Sequence, residues 1–591
     1  KVPSKTPLLV HLNHVFNLKI KQDMIQNFFK VFVRNIRRNR LFSMINVFGL
    51  TIGFVCCIFI SLYIMDELSF DKNIPDYDRL YRITRMSGNS QTRTPHPMAQ
   101  ALKQDWPEVE AAVSLTPWYG PGLSKELVRV ENPSTNVLFE EPDFMFADST
   151  FFDVFQLEVL EGDADALSKP FSLVITSDMA TKYFGDSSAV GRELVLNDMP
   201  LAVTTVVAGM PENAHFHFNA IIPYMTLKQI NPNDGWMEWE DFGHFNYLKL
   251  AEGTDPMELQ EKLPDWTAGF LDWDEDALDA LRNGVSGYFG LQPVGDIHLN
   301  SHLRWELEDN GNVLYVYILS ATLVFLLVIV SINYANLTTA KSLERAKEIG
   351  VRKTLGAFTT NLKWQFYLES IAICLLSLVF SLILTHAFLG GFNQLSGKSF
   401  VSTDILNPYF LVRHILLAII IGLVAGFYPA IALSSFKPTE VLKGKLTTSA
   451  QGIRLRSALV VLQFTVSAIL IAGSLVIYQQ INYMKNKEMG FDREAVISFD
   501  IPVSIEHGGI DLPKIYSIRQ QIESIPGVIN TSMMSNLPGG QFNQHDVYVA
   551  RDPENNLDFS EVMVDYDFER VLGIELSAGR SFERSSGDTT N

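Results

Sequence analysis

The stretch "SLERAKEIGVRKTLGAFTTNLKWQF", residues 342–366, lies between apolar runs at 313–334 and 366–389. Each run is long enough to cross a hydrocarbon core, which takes about 20 helical residues. The segment itself is short, mixed in charge and punctuated by glycine. Glu344, Glu348 and Arg352 follow one another at i,i+4 spacing, with acid N-terminal to base, the favourable order on a helix. Leu343, Ala346, Ile349 and Gly350 share one side, where small residues let another backbone or a partner come close, and Gly356 is placed to end the helix. Over 338–363 there are six bases and two acids. A connection between two spans with that bias is expected on the cytoplasmic side.

Three further apolar stretches, 41–65, 411–433 and 459–478, bring the expected spans to five. One cleavable signal peptide cannot account for them. Residues 24–41 carry Lys30, Arg34, Arg37, Arg38 and Arg40 and no acid, and 437–456 carry five bases and one acid. Both are expected in the cytoplasm, with Arg37, Arg38 and Arg40 fixing the orientation of the first span. Residues 66–313 hold 42 acids against 16 bases, a balance of 16 − 42 = −26 against −19 for the whole chain, which reads as a solvated exterior domain. Cys56, Cys57 and Cys374 all fall within spans. They read as small apolar packing residues, and no disulfide framework is expected outside.

The fold class expected is a polytopic α-helical membrane protein with mixed α/β extracytoplasmic domains. The organisation runs from an N-terminal cytoplasmic segment with an amphipathic helix (1–40) through a span (41–65) to an extracytoplasmic α/β domain (66–312). A span (313–334), a cytoplasmic coupling loop (338–363) and two spans (366–389 and 411–433) follow. The chain then passes through a cytoplasmic linker (437–456) and a fifth span (459–478) to the start of a second extracytoplasmic domain (484–591). In the exterior domain "RELVLND" and "LAVTTVVAGM" alternate as strands, while "HPMAQALKQDWPEV" and "TSDMATKYFG" read as short helices. Trp305, Tyr315 and Tyr317 stand where an interfacial aromatic belt is expected.

An internal repeat supports the second domain. "DSTFFDVFQLEVLEG" (148–162) matches "DYDFERVLGIELSAG" (565–579) at a constant offset of 417, pairing Asp148 with Asp565, Phe151 with Phe568, Val154 with Val571 and Gly162 with Gly579. Upstream, "PEVEAAVSLTPWYG" resembles "PGVINTSMMSNLPG" at an offset of 419. The repeating unit is a span, an exterior domain and three spans, and its second copy stops early, so the native frame is expected to start at Met24 and to continue past Asn591.

Several chemistries find no support. A phosphate-cradling G-x-x-x-x-G-K-[ST] is not met, because Gly391 precedes "GKS" (397–399) by one residue too many. In "HFHF" (215–218) alternation sets His215 and His217 on one strand face, with no cysteine or acid at ligand spacing, so no metal is expected. Glu369 near the end of the third span reads as a structural pairing with another helix, and Pro429 as a tolerated kink in the fourth. No nucleophile constellation and no basic aromatic groove for nucleic acid can be assembled.

"RAKEIGVRKTLGA" (345–357) resembles the signature loop of FtsX-like, or MacB-type, ABC transporter permeases, E-I-G-[VI]-R-[KR]-x-[LI]-G-A. "NIRRNRLFSMINVFGLTIGF", "YDRLYRI", "ADSTFFDVF", "YFGDSSAVGREL", "GMPENAHFHF", "GFYPAIALSSFKPTEVLKG" and "RLRSALVVLQFTVS" follow the order of that family's motifs. The duplicated arrangement is similar to the tandem permeases of Bacteroidetes-type bacteria. The resemblance implies a permease subunit in a bacterial inner membrane, N-terminus cytoplasmic and large domains periplasmic, with a MacB-like periplasmic core domain. It implies that Glu348, Gly350, Arg352, Lys353 and Gly356 dock on a separate ABC ATPase. ATP and Mg would be used by that partner, with no cofactor bound by this chain. ATP binding would then move the exterior domains by mechanotransmission and extrude a peptide, drug, lipid or lipoprotein. A periplasmic adaptor, an outer-membrane exit protein and membrane lipid are the further partners implied. A membrane signalling subunit that controls a periplasmic partner without transport is the alternative.

Overall fold

The computed structural model describes residues 34, 37–38, 40–86, 90–118, 127–230, 237–285, 287–340, 349–356, 358–434, 450–487, 489–491, 495–499, 512–535, 543–549 and 552–583. It divides into two units, one of Lys1–Asp66 with Val313–Lys485 and one of Glu67–Asn312 with Asn486–Asn591.

The first unit is helical. Five helices, Arg40–Glu67, Val313–Ala340, Thr359–Ser396, Pro408–Ser434 and Ala450–Asn486, are long and apolar enough to cross a membrane. Lipid tails are as apolar as leucine, so such helices associate through close packing and interhelical hydrogen bonds. Both are present. Gly53 of the first helix leaves room for Val330 of the second, and a Cβ at Gly422 of the fourth would lie 2.8 Å from Ile371 Cα of the third. Thr51 Oγ1 donates to the Ser377 carbonyl at 3.4 Å, and the Tyr334 hydroxyl donates to Ser370 Oγ at 3.1 Å.

The second unit is mixed α/β. Its strands are β1 (Leu80–Met86), β2 (Val109–Pro117), β3 (Val128–Asn132), β4 (Val137–Glu141), β5 (Phe144–Ala147), β6 (Val159–Gly162), β7 (Ser172–Thr176), β8 (Glu193–Leu196), β9 (Met199–Val207), β10 (Ala220–Pro223), β11 (Phe245–Leu250) and β12 (Tyr288–Pro293). They form a twelve-stranded sheet in the order β12-β1-β11-β2-β5-β10-β7-β9-β8-β3-β4, with β6 paired to β9. The alternating runs read as strands are β8 and β9, and the two short helices are Met98–Asp105 and Ser177–Phe184. Thr176 caps the latter by accepting from the Met179 N–H, which satisfies one of the free donors at a helix start. Aromatic side chains fill the centre of one core: Phe151, Phe155, Phe216 and Tyr247 are fully buried together.

Both copies of the internal repeat build one turn. The Asp148 N–H donates to the Ser114 carbonyl at 3.1 Å while its carboxylate accepts from the Ser114 N–H at 3.0 Å. Asp565 repeats the exchange with Met533, at 3.1 Å each way. A short helix follows each, ending in a left-handed residue at Gln156 (φ 50°) and Gly573 (φ 63°). Gln100 donates to Asp148, Thr150 and the Ala112 carbonyl, and Arg519 takes the same three places on Asp565, Asp567 and the Thr531 carbonyl.

One expectation is corrected, and Trp305 finds a partner within its own unit. Residues 215–217 form no strand: they run through a bend into irregular backbone, because the His215 N–H is held by the Asp71 carboxylate at 2.9 Å. Each histidine there has an acid partner, His215 with Asp71 and His217 with Glu308 at 3.0 Å, and the Glu308 hydrogen bond raises the His217 pKa. Trp305 belongs to the second unit, stacked under the Arg93 guanidinium at 4.0 Å. It is thus a cation–π partner.

Gly422→Leu should overpack the third and fourth helices and lower stability by about 1–3 kcal/mol, whereas Gly473→Leu in the fifth, with nothing within 4 Å of its Cβ position, should change little. Thermal melting in detergent distinguishes them. A second prediction concerns Asp76, whose carboxyl is lowered to about 2 by its hydrogen bond from Lys249 at 2.7 Å, aided by Gln156. A depressed carboxyl stabilises the fold above its ordinary range and loses that effect as pH falls towards the folded value. Carboxyl NMR should show Lys249→Met returning Asp76 towards the ordinary range.

Candidate coupling site between the second and third spans

The loop singled out by the sequence is described from Ile349 onward, apart from residue 357; Glu344 and Glu348 lie outside the described residues. Residues 349–354 are helical. Leu355 N–H bonds back to the Val351 carbonyl and Gly356 N–H to the Lys353 carbonyl, both at 3.1 Å. Gly356 then turns the chain with φ 94°, a conformation that costs glycine little and other residues more. It ends the helix as its position implied.

The two faces of this helix differ. Ile349 is buried in a small cluster with Leu362, Phe366 and Ala430, which belong to the third and fourth helices, and Gly350 is buried beside it. Ile349 and Gly350, the described part of the small-residue side, are therefore packed inside the chain, while Leu343 and Ala346 lie outside the described residues. Arg352 is half-buried and donates to Gln365 Oε1 at 3.1 Å, so its guanidinium is directed to the start of the third helix. Burial lowers the Lys353 pKa. What faces outward is apolar: Val351 is 48 % exposed, Leu355 82 % and Phe358 75 %. These three were missed by the sequence reading, though large apolar residues flanking a glycine stop in a polar loop were a usable signal.

Arg37, Arg38 and Arg40 are exposed and helical, leading into the first span. Among the described residues no group of three or more His, Cys, Asp or Glu is arranged to hold a metal ion.

Two family models match the chain, the MacB-like periplasmic core domain over residues 43–265 and the FtsX-like permease C-terminal domain over 320–438. The second covers the loop just described. Relatives include the macrolide export ATP-binding/permease protein MacB 1/2 of Paracoccus denitrificans, 23% identical over 50% of this chain and 40% of the relative. The MacB protein of Vibrio parahaemolyticus is 24% identical over 46% of this chain and 37% of its own length. The chain thus spans less than half of the length of these relatives. Solved structures with similarity include a domain of a permease protein from Porphyromonas gingivalis, at 21% identity and a TM-score of 0.31 over 37% of this chain and 93% of that one. The periplasmic region of MacB from Actinobacillus actinomycetemcomitans matches at 13% identity and a TM-score of 0.27, over 37% and 90%. With both permease domain models matched in order along the sequence, the chain belongs to the FtsX/MacB-type ABC transporter permease family.

Proposed function

We propose that this chain is the permease subunit of an ABC transporter whose ATPase is a separate polypeptide. The observation that carries the reading is the outward apolar face of Val351, Leu355 and Phe358 within the FtsX-like match. ATP and Mg are used by that partner. Glu348, Gly350, Arg352, Lys353 and Gly356 act as the frame of the docking element. Gly350 and Gly356 set its packing and its end, and the charges fix register more than affinity. Closure of the ATPase moves this element, and the exterior domain moves in response to extrude a periplasmic or membrane-extracted substrate. The inner membrane is the setting, with the N-terminus and the coupling loop cytoplasmic, anchored by Arg37, Arg38 and Arg40. An adaptor and an outer-membrane exit protein would complete the route.

Orientation is tested by single cysteines at Ser187 and Thr360, both exposed. In intact spheroplasts an impermeant maleimide should label Ser187 and spare Thr360, and equal labelling overturns the topology. Docking is tested by Leu355→Asp and Phe358→Asp. Each should weaken ATPase association about 30-fold, the scale of a lost apolar anchor worth about 2 kcal/mol, with membrane insertion unchanged. Gly350→Trp should disrupt the Ile349 cluster, and Arg352→Glu should lose the Gln365 bond; both should uncouple ATP hydrolysis from movement. Wild-type association and transport in all four variants would reduce residues 342–358 to a positive-inside anchor.

A further inference from the structure

The two ends of the exterior domain's main body are joined by a chain of buried polar side chains. Asp71, four residues past the end of the helix Arg40–Glu67, is buried in a left-handed conformation (φ 62°). Its Oδ1 accepts from the His215 backbone N–H at 2.9 Å and lies 2.7 Å from His215 Nδ1, while Oδ2 has no hydrogen-bond partner. His215 Nε2 sits 2.8 Å from the Tyr247 hydroxyl. Tyr247 and Arg82 are register partners on the adjacent strands β11 and β1. Arg82, fully buried, grips Glu306 with two nitrogens at 2.6 and 3.1 Å and reaches Gln292 at 2.7 Å and Ser301 at 3.3 Å. Glu306 stands seven positions before the helix Val313–Ala340.

A second tie lies alongside. His298 Nε2 is 2.9 Å from Glu67 Oε2, Phe70 stacks on the His298 ring at 3.4 Å, and a Cβ at Gly311 would lie 2.8 Å from both polar atoms. Gly311 is therefore a spacer that a side chain would remove.

Stability alone does not call for such a network, because well-packed apolar replacements of buried ion pairs are often neutral or stabilising. What hydrogen bonds between distant, mostly buried side chains supply is a preferred arrangement of the segments that they join. Here those segments run directly on into the first and second spans. We propose that Asp71, His215, Tyr247, Arg82 and Glu306 act as a positioning relay that locks the segment leaving the first span to the segment entering the second, so that both drive the exterior domain as one body. The proposal rests on the permease reading.

The test uses the full chain co-expressed with its ATPase, on a background in which Cys56, Cys57 and Cys374 are alanine, with spin labels at Ser187 and Leu395. Wild type should change the label distance on ATP–vanadate trapping. Tyr247→Phe, which keeps the ring, and Glu306→Gln, which keeps the shape, should retain the ATPase while the distance change falls about 5-fold or more, the low end of coupling between sites. Hydrogen exchange over residues 298–308 should rise about 10-fold in both variants, a local loosening that leaves the remaining core protected. Arg82→Lys, which keeps the charge but not the two-pronged grip, should behave like Glu306→Gln. Should Glu306→Gln fail to accumulate, Tyr247→Phe decides. Wild-type movement in Tyr247→Phe overturns the relay and leaves the permease reading standing. Wild type without nucleotide-dependent movement overturns both.

Discussion

Glu67 and His298 are 231 positions apart and meet at 2.9 Å. A domain inserted between two membrane helices has to return its chain to the place from which it left, and ordering so long a loop carries an entropic cost that contacts at its base must offset. The twelve-stranded sheet accomplishes the return: β1, just after the first span, lies between β12, which precedes the second, and β11. Residues from both ends of the domain are thereby neighbours on adjacent strands, with Arg82 in register with Tyr247 and Gln292 and hydrogen-bonded to Gln292 and Glu306.

The membrane unit solves a different problem by related means. Backbone polar groups in hydrocarbon have to be satisfied within each helix, so what remains to specify packing is side-chain size and a few hydrogen bonds. Gly53 and Gly422 allow the approach, and Thr51, Ser370 and Tyr334 supply the bonds. The fixed surfaces of both units are small residues and buried polar groups. On the loop between the second and third helices the exposed large side chains, Val351, Leu355 and Phe358, are apolar. Behind them the loop stands on the buried cluster of Ile349, Leu362, Phe366 and Ala430.

Local physics was legible in the sequence. Span length follows from apolar runs, the two short helices follow from their Pro and Gly punctuation, and the Asp148 turn was readable as a repeat because Asp565 keeps the same short-range bonds. Long-range partners were not legible. The alternation in "HFHF" suggested a strand, but Asp71, 144 positions away, takes the His215 N–H and dictates otherwise. In the coupling loop, periodicity put Ile349 and Gly350 on one side, yet it could not say whether that side faces the chain's own helices or a partner. Only the positions of Leu362, Phe366 and Ala430 decide that, and they come from two other helices.

The central claim is that an ATPase sits on the face formed by Val351, Leu355 and Phe358. A photo-crosslinking amino acid placed at Leu355, activated in native membranes, tests it most directly. The account predicts one adduct, of a polypeptide that is itself labelled by an azido-ATP analogue, and loss of that adduct when the probe is moved to buried Ile349. An adduct at Leu355 with lipid alone, or with a protein that binds no ATP, would contradict it.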